Sequence, residues 1–295
     1  MSRSSSTGSA VARTRVHSTR SLGLDLLVSE ITVLFRRRRT WAMLAALAAV
    51  PILIAVAVRL SSDGESGESG GGGPAFLDSI TQNGFFVAIT ALTVAIPLFL
   101  PLTIAVVAGD TIAGEASLGT LRYLLVAPAG RVRLLVVKYV GAAAFCIVAT
   151  LAVVFAGVLI GAALFPVGPV TLLSGDVIGI GGYLGRCLLL AAYATLSLLG
   201  LSAIGLFIST LTTVPVGAMA ATSVLAVVSQ ILGQLPQLEW LHPWLFTDLW
   251  LGFGGLLTAP LSLATFTDNA VLQLGYLVVF GALAYGRFST KDVLS

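Results

Sequence analysis

The sequence holds 295 residues, of which 57% are hydrophobic and only 10% charged, where soluble domains run near a quarter charged. With a mean hydropathy of +1.01, no soluble fold of this size has interior enough for so much apolar side chain, and lipid must be the second solvent. The two cysteines, Cys146 and Cys187, sit inside apolar runs, which excludes a secreted disulfide scaffold and reads them as small packed hydrophobes.

Residues 1–20 are rich in Ser, Thr and Arg without apolar periodicity and read as a disordered tail; they lack the apolar core of a signal peptide. Over 21–38 the pattern changes. Leu24, Leu27, Val28, Ile31, Leu34 and Phe35 fall on one helical face, and Asp25, Ser29, Thr32 and Arg36 on another. An amphipathic helix lying along the cytoplasmic membrane surface is expected. Four arginines, Arg36 to Arg39, then abut the apolar run 41–58, a first span whose starting end they assign to the cytoplasm.

The Gly/Ser/acidic stretch 61–75 reads as an exposed loop. A second span is expected over 80–109, which carries no charge and contains Pro97 and Pro101. The segment 110–138 holds Asp110, Glu115, Arg122, Arg131, Arg133 and Lys138, the one well-charged internal stretch, and a third span follows over 140–164. The uncharged run 187–238 is too long for one crossing. Thr212, Thr213 and Pro215 divide it into a fourth and a fifth span. Residues 235–262 gather Trp240, His242, Trp244, Phe246, Trp250 and Phe253 among three prolines, the composition of an external interfacial or re-entrant segment. A last span over 270–285 precedes a cytoplasmic carboxyl tail, 288–295. The fold class is therefore all-α: a polytopic membrane protein with six spans over 39–287.

Charge supports that count. Of 16 Lys and Arg, eight precede the first span, four lie in 110–138 and two follow the last span. Those fourteen share one side if the spans number six, which puts both termini in the cytoplasm of a multi-pass cell-membrane protein. The net charge of +3 is thus a matter of orientation, and no nucleic-acid partner is implied.

No G-x-x-x-x-G-K-[ST] phosphate loop, H-E-x-x-H or Cys/His cluster occurs, so the sequence implies no ATP site of the usual kind and no metal site. His17 and His242 cannot form a metal site alone, and His242 reads as an interfacial polar tip. Among the many Ser and Thr inside spans, most serve helix-to-helix hydrogen bonds; Thr90, Thr93 and Ser223 are candidates for lining a path. No Asp, Glu, Lys or Arg falls at the middle of a span, where ion-coupled transport would need one. Energy for any transport must then enter through the cytoplasmic segments.

Residues 109–140 contain Gly114-Glu115, Gly119-Thr120-Leu121, Leu124-Leu125, Pro128, Arg131 and Lys138 in that order. This ordered set, between a second and a third span, resembles the signature segment of the type-two permeases of ATP-binding-cassette (ABC) exporters. Arg287, Asp292 and Val293 resemble that family's closing tail, and the surface helix before the first span fits its layout. Where the family often shows a second acidic residue, Ala116-Ser117-Leu118 stands here. The residues agree with a stub helix: Thr120 is a good N-cap, Pro128 with Gly130 would end the helix, and Leu121, Leu124 and Leu125 share a face away from Arg122.

The resemblance implies a cytoplasmic coupling segment over 109–138, with Glu115, Gly119, Thr120, Leu121, Arg122, Leu124 and Leu125 as the contacts to a separate ATPase subunit and Glu115 meeting a basic group there. It implies a homodimer or a sister permease enclosing the path, and ATP and Mg held by the ATPase rather than by this chain, which is itself no enzyme. Without a large external domain, drugs, antibiotics or other small lipophilic compounds are the expected cargo. A membrane-embedded enzyme or a non-transporting assembly protein is the alternative. An enzyme would need clustered polar groups at a span end, and an assembly protein would not need the coupling segment.

Overall fold

The computed structural model describes residues 19–64, 83–119, 131–172 and 174–290. Helix α1 (Thr19–Arg36) leads into α2 (Arg38–Gly64). A broken helix follows: α3 (Phe86–Val94), a π-helical turn (Ala95–Phe99) and α4 (Leu100–Ser117). Then come α5 (Arg131–Leu164), α6 (Ile180–Leu211), α7 (Pro215–Leu232) and α8 (Ala264–Thr290). Six helical stretches are long and apolar enough to cross a membrane: Arg38–Ser61, Phe86–Ser117, Val132–Leu164, Ile180–Leu211, Pro215–Leu232 and Ala264–Phe288. The fold is all-α and polytopic, as the composition requires. The expected coupling helix, 121–126, lies outside the described residues.

The helices run further than hydropathy marks. The second crossing continues past Gly109 to Ser117, and the third begins at Arg131, so Asp110, Glu115, Arg133 and Lys138 are helical rather than part of a connecting loop. Helical hydrogen bonds persist beyond the apolar stretch because these charges find lateral partners. Gly119 ends the second crossing: at φ +71° it takes the left-handed conformation of a helix-terminating glycine, its N–H donating to the Ala116 carbonyl at 3.1 Å. The fourth and fifth spans divide where the sequence places the break, with Pro215 at the first turn of α7.

The π turn contains a carbonyl without its helical donor. Pro101 has no N–H for the carbonyl four residues earlier, that of Pro97. Gln230 on α7 donates to this carbonyl at 2.7 Å, tying the two helices together.

Close crossings use small residues, as expected where lipid removes the hydrophobic drive between helices. Gly157 and Gly161 form a G-x-x-x-G stripe on α5 against Gly84 and Ala88. A Cβ on Gly161 would stand 2.0 Å from the Gly84 carbonyl oxygen, and one on Gly157 would stand 2.6 Å from the Ala88 Cα. At the far end of the bundle, Gly109 meets the backbone of Met219, and Gly205 meets Ala108 and Thr222.

The aromatic segment after α7 folds into two short 3-10 helices, Pro236–Trp244 and Phe253–Leu257. Phe246, Trp250 and Phe253 are buried, while Trp240 and Trp244 are exposed. Backbone carbonyls of this segment accept from bundle side chains: Phe246 from Gln273 at 2.9 Å, Trp244 from Tyr276 at 2.6 Å, Leu249 from Tyr193 and Leu256 from Arg186. At the same end a two-stranded ribbon, β1 (Val170–Thr171) and β2 (Val177–Ile178), pairs antiparallel and turns at Gly175, φ +88°.

Candidate functional site

The charged side chains of the described residues concentrate at the end where α1 meets α2. The elbow between these helices is built from side chains that take up orphan helix-end carbonyls. Thr40 donates to the Leu34 carbonyl at 2.6 Å, and the Trp41 indole N–H to the Phe35 carbonyl at 2.8 Å. The elbow fixes where the arginine run points. Arg37 and Arg39 both reach the Asp110 carboxylate, at 3.2 and 3.5 Å. Arg39 also meets the Val106 carbonyl and the Met219 Sδ at 3.4 and 3.6 Å, so one side chain spans α2, α4 and α7.

The second cluster centres on Lys138, whose side chain is only 5% exposed. Its Nζ donates to both carboxylate oxygens of Glu30, at 2.9 and 3.0 Å, and to Glu115 Oε1. Three helices, α1, α4 and α5, therefore meet at one ammonium group. A cleft of about 40 Å³ separates this cluster from the arginine pair, bordered by Glu30, Arg37, Arg39, Asp110, Thr111 and Lys138. The two clusters differ in weight. Arg37 and Arg39 are about half exposed, so each contact with Asp110 contributes about 0.2–1 kcal/mol. Lys138 is buried, and removing it would leave two carboxylates facing each other, the costly way to break a buried pair.

The sequence-predicted site residues divide as follows. Glu115 joins the cluster, with Oε1 accepting from Lys138 of this same chain. Its position on the last turns of α4, facing the first turns of α5, brings the two together. Gly119 has a backbone role as the helix terminator. Thr120, Leu121, Arg122, Leu124 and Leu125 lie outside the described residues. Thr90 is buried inside the bundle, whereas Thr93 faces outward and Ser223 is half-buried. The hydroxyls of Thr93 and Ser223 donate to carbonyls four residues back, those of Ile89 and Met219, at 3.0 and 2.9 Å. His242 contacts the Leu235 carbonyl within its own loop at 3.1 Å. Both cysteines are buried and unbridged.

The sequence reading passed over three polar features. Glu30, on the amphipathic helix α1, holds Lys138. Asn269 and Gln273 are buried on α8: Asn269 donates to Ser197 at 2.7 Å, and Gln273 donates to Asn269 at 3.1 Å. Their i, i+4 spacing is a readable signal; Asn269 lies just before the expected span 270–285, and the helix in fact begins at Ala264. Ser209 lodges against the backbone of α4. Asp248, outside the spans, has its carboxyl pushed above the usual range by partial burial, with His242 opposing the shift. Among the described residues no group of three or more His, Cys, Asp or Glu is placed to hold a metal ion.

The six apolar helices and the charge-laced end define a multi-pass α-helical membrane protein. The chain belongs to the family described as Protein of unknown function (DUF2705), which matches residues 47–294. No curated protein matches it.

Proposed function

We propose that this chain is the membrane subunit of an ABC exporter, seated in the cell membrane with both termini in the cytoplasm. The observation that carries this reading is the Lys138 clamp. Glu30 on α1, Glu115 at the end of α4 and Lys138 at the start of α5 form one ionic unit. Residues 120–130, outside the described residues, connect α4 to α5 in the sequence. A push delivered on that connection by an ATPase would reach the surface helix and two crossings together. The ordered motif from Gly114 to Lys138 supports the same reading, and the bias of fourteen basic residues out of 16 supports the orientation.

In this reading ATP and Mg are bound by a separate ATPase subunit, two permeases enclose the path, and small lipophilic compounds are the cargo. Gentle extraction of the tagged chain from its native membrane tests it. The chain should come away with an ATPase in about equal amount, and the complex but not the isolated chain should hydrolyse ATP. A monomer recovered without any ATPase would end the exporter reading. Orientation has its own test. With Cys146 and Cys187 replaced, an impermeant thiol reagent on intact cells should label a cysteine placed at Ser66 and not one placed at Ala129; the reverse would invert the topology.

A further inference from the structure

We propose that the groove between α2 and α5 is a binding site for an anionic phospholipid, with the headgroup at Arg36 and Arg38 and an acyl chain between the helices. The groove has a volume of about 680 Å³. Its floor is made of alanines, Ala45 and Ala48 from α2 and Ala152 and Ala156 from α5, and its walls include Trp41 and Phe155. Small side chains here leave an open channel alongside the place where α2 and α5 pack together, while the G-x-x-x-G stripe on the same α5 helix packs against Gly84 and Ala88. From Trp41 to Ile52 the groove runs roughly 16 Å along α2, about the depth of one leaflet of a bilayer core ~30 Å thick.

What gives the groove a preferred occupant is charge at its mouth. Of the four arginines, Arg37 and Arg39 are engaged by Asp110. Arg36 and Arg38 are exposed and have no ion pair among the described residues. Arg36 follows Phe35, a lining residue, and Arg38 stands one turn before Trp41, another. The Trp41 indole is held by its bond to the Phe35 carbonyl, and tryptophan favours the membrane interface. Two uncompensated guanidinium groups next to a fixed indole, above a chain-wide apolar channel, match a phosphate headgroup bearing net negative charge.

Native mass spectrometry of the delipidated full chain in detergent tests this with phosphatidylglycerol and phosphatidylcholine. Phosphatidylglycerol should bind about tenfold more tightly, the preference two juxtamembrane arginines can provide. Arg36→Gln with Arg38→Gln should bring it down to the phosphatidylcholine level. Ala152→Phe, which fills the channel and leaves the charge alone, should weaken both lipids at least about fivefold, the loss expected when a buried chain segment is displaced. The smaller Ala156→Val serves if the phenylalanine variant fails to fold, and free glycerol phosphate should not compete. Equal affinity for the two lipids, undiminished binding in the groove-filling variant, or full competition by glycerol phosphate would each overturn the site.

Discussion

Ser209 of α6 bonds to both sides of one helical rung at Gly109 of α4. Its Oγ donates to the Gly109 carbonyl at 2.8 Å and accepts from the amides of Ala113, at 2.8 Å, and Ile112, at 3.0 Å. A side chain entering the i→i−4 ladder is a recognised cause of local bending. Here it acts one turn before Glu115, where the direction of α4 decides whether that carboxylate meets Lys138. Ser209→Ala should cost about 1–2 kcal/mol, with α4 partly closing its own rung in compensation. Thermal unfolding of the purified protein checks the loss. A variant as stable as wild type would mean that the helix mends itself completely.

The crossing of α3 and α5 should tolerate no added side chain. Gly161→Ala sets a Cβ against the Gly84 carbonyl, a backbone atom unable to move alone, and should destabilise by about 1–3 kcal/mol. Gly281→Ala is the control, since a Cβ there meets nothing within 4 Å. On α8 it should be neutral or stabilising by up to about 1 kcal/mol. Equal melting temperatures for the two variants would refute a packing role for the stripe.

These residues mark the limit of sequence reading. Spans and their number were legible because lipid leaves no alternative for long apolar helices, and the break before Pro215 because proline favours a first helical turn. The reach of α4 to Ser117 was not legible. Asp110 and Glu115 read locally as loop residues, and the partners that let them stay helical are Arg37, Arg39 and Lys138. Lys138 to Glu30 is a separation of 108 residues, for which no spacing rule exists. The paired stripe of Gly84 and Ala88 with Gly157 and Gly161 was visible as small residues four apart, but nothing local said that they face each other.

Asp248 gives a pH dependence of known sign. Its folded-state carboxyl is pushed above the ordinary carboxylate range because burial disfavours the anion. A raised carboxyl contributes stability that is present below its unfolded pKa and lost as pH rises through the folded one. Asp248→Asn removes this dependence. At pH 7–8 the variant should melt higher than wild type, and the gap should close toward about pH 4, where the unfolded carboxyl titrates. A gap that stays constant across this range would show that the side chain acts through packing.

Gln230 should matter because of Pro101. Gln230→Leu keeps the apolar volume on α7 but removes the donor to the Pro97 carbonyl, which proline has already deprived of its helical partner. The expected cost is about 1–3 kcal/mol, that of an unsatisfied buried acceptor. In a Pro101→Ala background, which restores a backbone N–H, the same change should cost less. Equal losses in both backgrounds would separate the glutamine from the π turn.

Lys138 carries the sharpest expectation. Lys138→Met leaves Glu30 and Glu115 without their shared cation, and since both carboxylates keep some exposure, at 27% and 20%, the cost should be near about 3 kcal/mol, the lower end for a broken buried pair. The triple variant Lys138→Met, Glu30→Gln, Glu115→Gln should recover most of that, because the penalty belongs to the stranded charges and not to a missing attraction. Stability alone cannot say whether the ammonium holds α1 in place, but hydrogen exchange over residues 25–36 can. In Lys138→Met these amides should exchange faster, with those in the middle of α6 unchanged. Unaltered exchange over 25–36 would mean that α1 is held by its apolar face and by Thr40 and Trp41 at the elbow. The three-helix clamp would then have no mechanical role.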